Sequence, residues 1–205
     1  MGETKMEKRT LTIDARNFAT RAAEDGRLII EGYFAVFNSP YWLDYENGSY
    51  ETVDSAAFDE TLDGDIRALI NHDSTFVLGR TTAGTLRLRT DEVGLWGEIE
   101  INPADTDAVN LYERVKRRDV TQCSFGFEIL EYDIEVIGDE NVHRTIRKVK
   151  LYEVSVVTFP AYSDTNVNAR SENAALIARV KLDAWKKRTL ERLNKGGKTD
   201  GVENA

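Results

Sequence analysis

Cysteine, histidine and proline are all scarce in this 205-residue chain, which has one Cys, two His and three Pro. A single thiol, Cys123, cannot form an internal disulfide, excludes a cysteine-based zinc cluster and fits a chain made in a reducing cytoplasm. Two histidines leave too few ligands for a His-rich metal site. No window approaches the roughly 20 apolar residues of a membrane span, and MGETKMEKRT at the N-terminus has no apolar stretch behind its charges. The expectation is a soluble, non-secreted protein without a membrane partner. Positive charge is also in short supply: 27 Lys and Arg face 36 Asp and Glu, a formal net charge of −9, which sets aside a phosphate-tracking groove for nucleic acid.

What is present is ordinary globular material, 41% apolar and 31% charged, enough to bury one substantial core. Short runs of two-residue periodicity, punctuated by Gly, Asp and Asn, predict a mainly β domain of antiparallel character. Strands are expected at 11–15, 27–37, 65–71, 85–90, 93–101, 120–137, 143–150 and 151–159. Eight strands suit a barrel or a sandwich. TLRLRTDEVGLWGEIEI reads as a hairpin turning at Asp91-Glu92, and IGDENVHR as a second hairpin tip.

Two helices are predicted among the strands. SAAFDETL can start at a cap from Asp54 or Ser55. ADTDAVNLYERVKRR places Ala108, Leu111, Tyr112 and Val115 on one face, with acids early and bases late as the helix dipole favours. After Arg170 the composition changes to an amphipathic helix and a polar tail. Residues 174–205 hold eight Lys or Arg and four Asp or Glu, so a basic segment hangs on an acidic body. The natural division is therefore a domain over 1–170 and a basic helix with tail over 171–205. That helix either staples to its own domain through Leu176, Val180, Ala184 and Trp185 or docks on a partner.

Three positions stand out chemically. In VTQCSFGFEIL, alternation puts Cys123, Phe125 and Phe127 on one face and Gln122, Ser124 and Gly126 on the other. Ser124 thus faces away from the phenylalanines beside a glycine that leaves space near its hydroxyl; a plain bulged strand with Ser124 in solvent is the simpler reading of this segment alone. His72 sits where the apolar strand RALIN passes into polar loop, a place where a fixed imidazole can serve as a base near neutral pH. Its neighbour Asp73 reads as a turn former. Glu153 is the lone charge in LYEVSVVTF, and must either face solvent or find a partner such as a histidine. A serine, a histidine and a carboxylate on three segments match a nucleophile, a base and an orienting group, although spacing alone does not join them.

Taken in order, EGYFAVFN (31–38), YETVDSAAFDETL (50–62), INHD (70–73), LGRTTAGTLRL (78–88), VGLWGEIEI, RRDVTQCSFGF and LYEVSVVTFPAYSDTNVNAR (151–170) resemble the phage prohead proteases. These are serine peptidases of capsid maturation, related to herpesvirus assemblins. The resemblance covers roughly two-thirds of the chain. It implies a small closed antiparallel β-barrel with peripheral helices, an α+β variant of the mainly β class. It also implies His72 as base and Ser124 as nucleophile. Where assemblins carry a second histidine, this chain has Glu153, and a carboxylate can hold an imidazolium equally well. His143, beside the hairpin tip and outside the matching blocks, is the lower-ranked alternative. Assemblins follow this strand with oxyanion-hole arginines, whereas Phe159-Pro160-Ala161-Tyr162 stands here, which leaves backbone N–H groups as the source of the oxyanion donors.

The implied activity is an endopeptidase that cleaves scaffold and major capsid precursors, and itself, through an acyl-enzyme. It would need no cofactor and no metal, and would act inside the immature prohead in the host bacterial cytoplasm. A homodimer through the 176–193 helix is a further expectation. Three other readings compete with it. One is a catalytically inactive assembly or scaffold-binding module of the same fold, and another is a ligand-binding barrel. The third is a cysteine hydrolase using Cys123, disfavoured because that thiol turns toward the phenylalanines.

Overall fold

The computed structural model describes residues 7–11, 18–44, 48–138, 141–159 and 167–196. Strands β1 (Glu7–Leu11), β2 (Phe18–Ala22), β3 (Leu28–Val36), β4 (Tyr41–Asp44) and β5 (Ser49–Val53) come first. They are followed by β6 (Arg67–Ile70), β7 (Asp73–Arg80), a 3-10 turn at Thr81–Ala83, β8 (Leu86–Thr90) and β9 (Gly94–Ile101). Helix α1 (Thr106–Arg117), the long strands β10 (Gln122–Ile137) and β11 (Asn141–Val157), and helix α2 (Val167–Gly196) complete the order.

Two sheets enclose the core. One runs β2-β3-β9-β8, and the other runs β1-β10-β11-β5-β4 with β6 and β7 branching from β11. The organising element is β11. One of its edges pairs antiparallel with β10 along nearly its whole length. The other is shared, taking β5 in parallel at His143–Ile146 and β6 in parallel at Glu153–Val156. Inward residues of both sheets, among them Ile30, Phe34, Leu95, Ile99, Phe125 and Phe127, interlock with Phe58 and the α1 face Ala108, Leu111, Tyr112 and Val115. Each such large side chain contributes roughly 1.5–3 kcal/mol by leaving water.

The resemblance implies a closed barrel; among the described residues the strands form two sheets, and neither is seen to close on itself. Phe37 N–H donates to the Val93 carbonyl (2.9 Å) and extends the β3–β9 pairing by one bond, and the next residue crosses to the other sheet, Asn38 N–H donating to the Val53 carbonyl at the end of β5 (3.0 Å). Asn38 holds a left-handed conformation (φ 54°) there, where the chain passes from β3 of one sheet to β4 of the other.

The predicted helix at SAAFDETL is also corrected. Residues 54–64 form successive turns bonded three residues apart, with the Asp54 carboxylate accepting from Ala56 N–H at 3.0 Å. The Ala57 carbonyl and the Thr61 hydroxyl accept instead from Val149 N–H (3.0 Å) and Leu151 N–H (2.8 Å) of β11. A carbonyl given to the strand cannot serve a helix, and the segment fills the gap along β11 between β5 and β6 while Phe58 plugs the core.

Elsewhere the expectations fare better. The hairpin at Asp91 is β8–β9, with Asp91 Oδ1 accepting from Val93 and Gly94 N–H. Asp105 caps α1 through Asp107 and Ala108 N–H. The expected strands 143–150 and 151–159 are one continuous strand, and most of the expected strand 11–15 lies outside the described residues. Helix α2 docks through Ile177 on Leu43 and Val142, with Val180 beside it, whereas the predicted anchor Trp185 points into solvent at 55% exposure.

Candidate active site

The strand β6 ends in Ile70-Asn71-His72-Asp73, and Ile70 pairs with Asp73 across a two-residue turn. Both central residues take positive φ, 51° at Asn71 and 61° at His72, as the tight hairpin turns of right-twisted strands require. Asparagine enters that region at little cost, whereas a histidine held there is uncommon and is kept by its contacts. Those contacts are specific: His72 Nδ1 lies 2.6 Å from Glu153 Oε1, and His72 N–H donates to Ser155 Oγ at 3.2 Å. Asp73 accepts from Thr75 N–H and hydroxyl at 2.9 and 2.6 Å, so it does form its own turn.

Glu153 is almost fully buried, at 4% exposure, which overturns the solvent-facing alternative. Burial of a carboxylate is tolerated because both oxygens have donors: Oε1 faces the imidazole, and Oε2 accepts from the Ser155 hydroxyl at 2.6 Å. Ser155 thus touches both His72 and Glu153. Sequence reasoning passed over it, although its period-two spacing from Glu153 and its place in an apolar strand carried the signal.

Strand register brings Ser124 to the same place. Ser124 is the cross-strand partner of Ser155, and Gly126 is the partner of Glu153, so all four share one face of the β10–β11 pair. The opposite face presents Cys123 and Phe125 with Val154 and Val156 to the core. Ser124 is fully buried rather than solvent-facing. The space expected at Gly126 is not open either. A Cβ there would run into Glu153 Oε1 and stand 3.0 and 3.1 Å from Cδ and Cγ, so the missing side chain is what admits the carboxylate.

The geometry has a chemical sense. With Nδ1–H donating to the carboxylate, Nε2 presents its lone pair, and this atom is buried without a hydrogen-bond partner. Ser124 is therefore not bonded to it in this state; contacts of this kind tighten on binding substrate. His143 is ten residues up β11 from Glu153, about 30 Å along an extended strand. It is occupied with Glu135 (3.0 Å), Thr52 (2.9 Å) and a stacked Tyr50 (4.6 Å between centroids), and takes no part in this cluster. The Cys123 thiol is fully buried, and burial pushes its pKa well up, away from the thiolate that a cysteine nucleophile needs. Among the described residues no cluster of three or more His, Cys, Asp or Glu could hold a metal, and no helix is long and apolar enough to cross a membrane.

A buried carboxylate–imidazole pair beside a serine, on a two-sheet β scaffold, is an arrangement of the hydrolytic serine-enzyme type. The chain belongs to the caudovirus prohead serine proteases, whose family model matches residues 16–179. It is accordingly a bacteriophage protease of the capsid-maturation class. Among solved structures, the bacteriophage T4 capsid assembly protease, gp21, is similar with a TM-score of 0.46 and 12% identity, covering 78% of this chain and 100% of that one. No curated protein matches the sequence.

Proposed function

We propose that this protease cleaves internal peptide bonds of scaffold and capsid precursors, and of its own chain, with Ser124 as nucleophile, His72 as general base and Glu153 as orienting carboxylate. The observation that carries the reading is the 2.6 Å contact between His72 Nδ1 and Glu153 Oε1, which leaves the buried Nε2 without a partner, with Ser124 paired across the strands to the Ser155 that touches both residues.

In this mechanism Nε2 takes the Ser124 hydroxyl proton as Oγ attacks the scissile carbonyl. The imidazolium so formed is stabilised by Glu153, and its proton passes to the leaving amine. Water then hydrolyses the acyl-enzyme with the same imidazole as base. The Ser155 hydroxyl donates to Glu153 Oε2 and accepts from His72 N–H, which keeps the carboxylate from rotating away from Nδ1. Backbone N–H groups supply the oxyanion donors.

Intact mass over time, for the wild-type chain and Ser124→Ala, alone and mixed with the cognate capsid precursor, tests the proposal. Discrete fragments from wild type and none from the variant are expected, and the fate of the basic segment 171–205, tether or removed extension, appears in the same spectra. Cleavage that survives Ser124→Ala would take the nucleophile role away from Ser124. No fragments from either chain, with both folded, would favour the assembly module.

A further inference from the structure

Helix α2 is apolar on two opposite faces, and among the described residues only one of them is packed. The face carrying Ile177 and Val180 packs on Leu43 and Val142. On the other side Leu182 and Trp185 stand 49 and 55% exposed. Exposed residues on that side follow alternating three- and four-residue steps: Ala175, Ala178, Leu182 and Trp185, continued by the half-buried Thr189. Written as a heptad, Ala175, Leu182 and Thr189 fall at a, and Ala178 and Trp185 at d. The stripe is one side chain wide over three turns. That is the width of a helix–helix seam and narrower than the broad apolar face of a helix lying in a membrane.

The flanks identify the partner. Between Ala175 and Thr189 the e positions read Arg179 and Lys186, and the g positions read Lys181 and Arg188, all basic. Residues 174–194 hold six Lys or Arg against two Asp or Glu, although the chain as a whole is acidic. A second copy of this helix would set basic e and g residues against one another, which disfavours self-pairing. A helix with apolar a and d positions and Glu or Asp at e and g would meet complementary charge along both flanks. We propose that the outer face of α2 is a docking seam for an acidic amphipathic helix of another protein chain, bound while Ile177 keeps α2 seated on the domain.

The test uses the full chain, with Ser124→Ala to prevent cleavage, and two synthetic helical peptides of about four heptads with Leu at a and d. One peptide carries Glu at e and g, and the other carries Lys. Titration calorimetry should show binding of the Glu peptide that weakens as salt rises, and none of the Lys peptide. Leu182→Asp should abolish it. Arg179→Glu, Lys181→Glu and Lys186→Glu combined should reverse the preference, weakening the Glu peptide about tenfold and admitting the Lys peptide. The reversal is a gain of binding that misfolding cannot imitate. Equal binding of both peptides, or of neither, would overturn the proposal. So would two controls: binding of phosphatidylglycerol vesicles without the Glu peptide points to a membrane surface, and Leu182-dependent dimerisation in sedimentation velocity points to a second copy.

Discussion

Gly126→Ala adds one methyl group at the most crowded point of the site. The new Cβ collides with Glu153 Oε1 and lies 3.0 and 3.1 Å from Cδ and Cγ. A flexible carboxylate could swing aside, but this one is held at both oxygens, by His72 and by the Ser155 hydroxyl at 2.6 Å each. Either β10 must move from β11, or the carboxylate must leave the imidazole. The first costs about 1–3 kcal/mol, as overpacking a filled interior does. The second removes a hydrogen bond to a charged group, worth about 1.5–3 kcal/mol, and each 1.4 kcal/mol lost from the transition state is about tenfold in rate. We expect unfolding in urea about 1–3 kcal/mol easier and precursor cleavage slowed at least about 10–100-fold. Quantified mass spectrometry of cleavage products, beside equilibrium denaturation, reads both effects. Wild-type cleavage in a folded Gly126→Ala protein would refute the claim that Glu153 must occupy this position.

Other perturbations separate the remaining contacts. Ser155→Ala leaves Glu153 Oε2 and His72 N–H without their shared hydroxyl, and should lower kcat by about 10–100-fold with KM little changed, as a positioning role requires. An unchanged kcat would remove Ser155 from the assembly of the site. Glu51→Ala removes the buried acceptor of Arg144 Nε (2.9 Å), and unfolding should become easier by about 3–5 kcal/mol, whereas joint replacement of Glu51 and Arg144 by apolar residues should cost less. At the surface, hydrogen bonds from Arg80 hold the Asp65 carboxyl at about 2, below its ordinary 3.8. The folded value is the lower one, so this group's stabilising contribution is complete above the unfolded value and is lost as pH falls toward 2. An NMR titration of the Asp65 carboxyl carbon should show that midpoint, and Arg80→Gln should raise it.

The parts of the site that could be read from the sequence are those that a face or a strand end defines. Alternation around Phe125 and Phe127 separates Ser124 from Cys123, and the lone charge in LYEVSVVTF marks Glu153 as needing a partner. What the sequence could not supply was the partner's identity, because His72 and Glu153 are 81 residues apart and meet only through parallel pairing of β6 with β11. The unpredicted strands have local causes. In β5, Ser49, Glu51 and Thr52 are buried polar residues, satisfied by contacts such as Glu51 with Arg144, which hides the apolar period. In β7 the reverse holds, with Phe76 and Val77 exposed. The turns at 54–64 look helical because their spacing is right, and the competing acceptor role of Ala57 becomes visible only once β11 lies alongside.

The division of one β11 edge between β5 and β6 also fixes an order of events during synthesis. His72 and the strand before it are made early, yet their parallel partner, residues 153–156, comes more than eighty residues later. Closing so long a loop is entropically costly and slow compared with forming the local hairpins. The imidazole therefore has no carboxylate until β11 has left the ribosome, whereas the β8–β9 hairpin can form before that. On the proposed assignment of His72, Ser124 and Glu153, the site is therefore incomplete until the last strand is made.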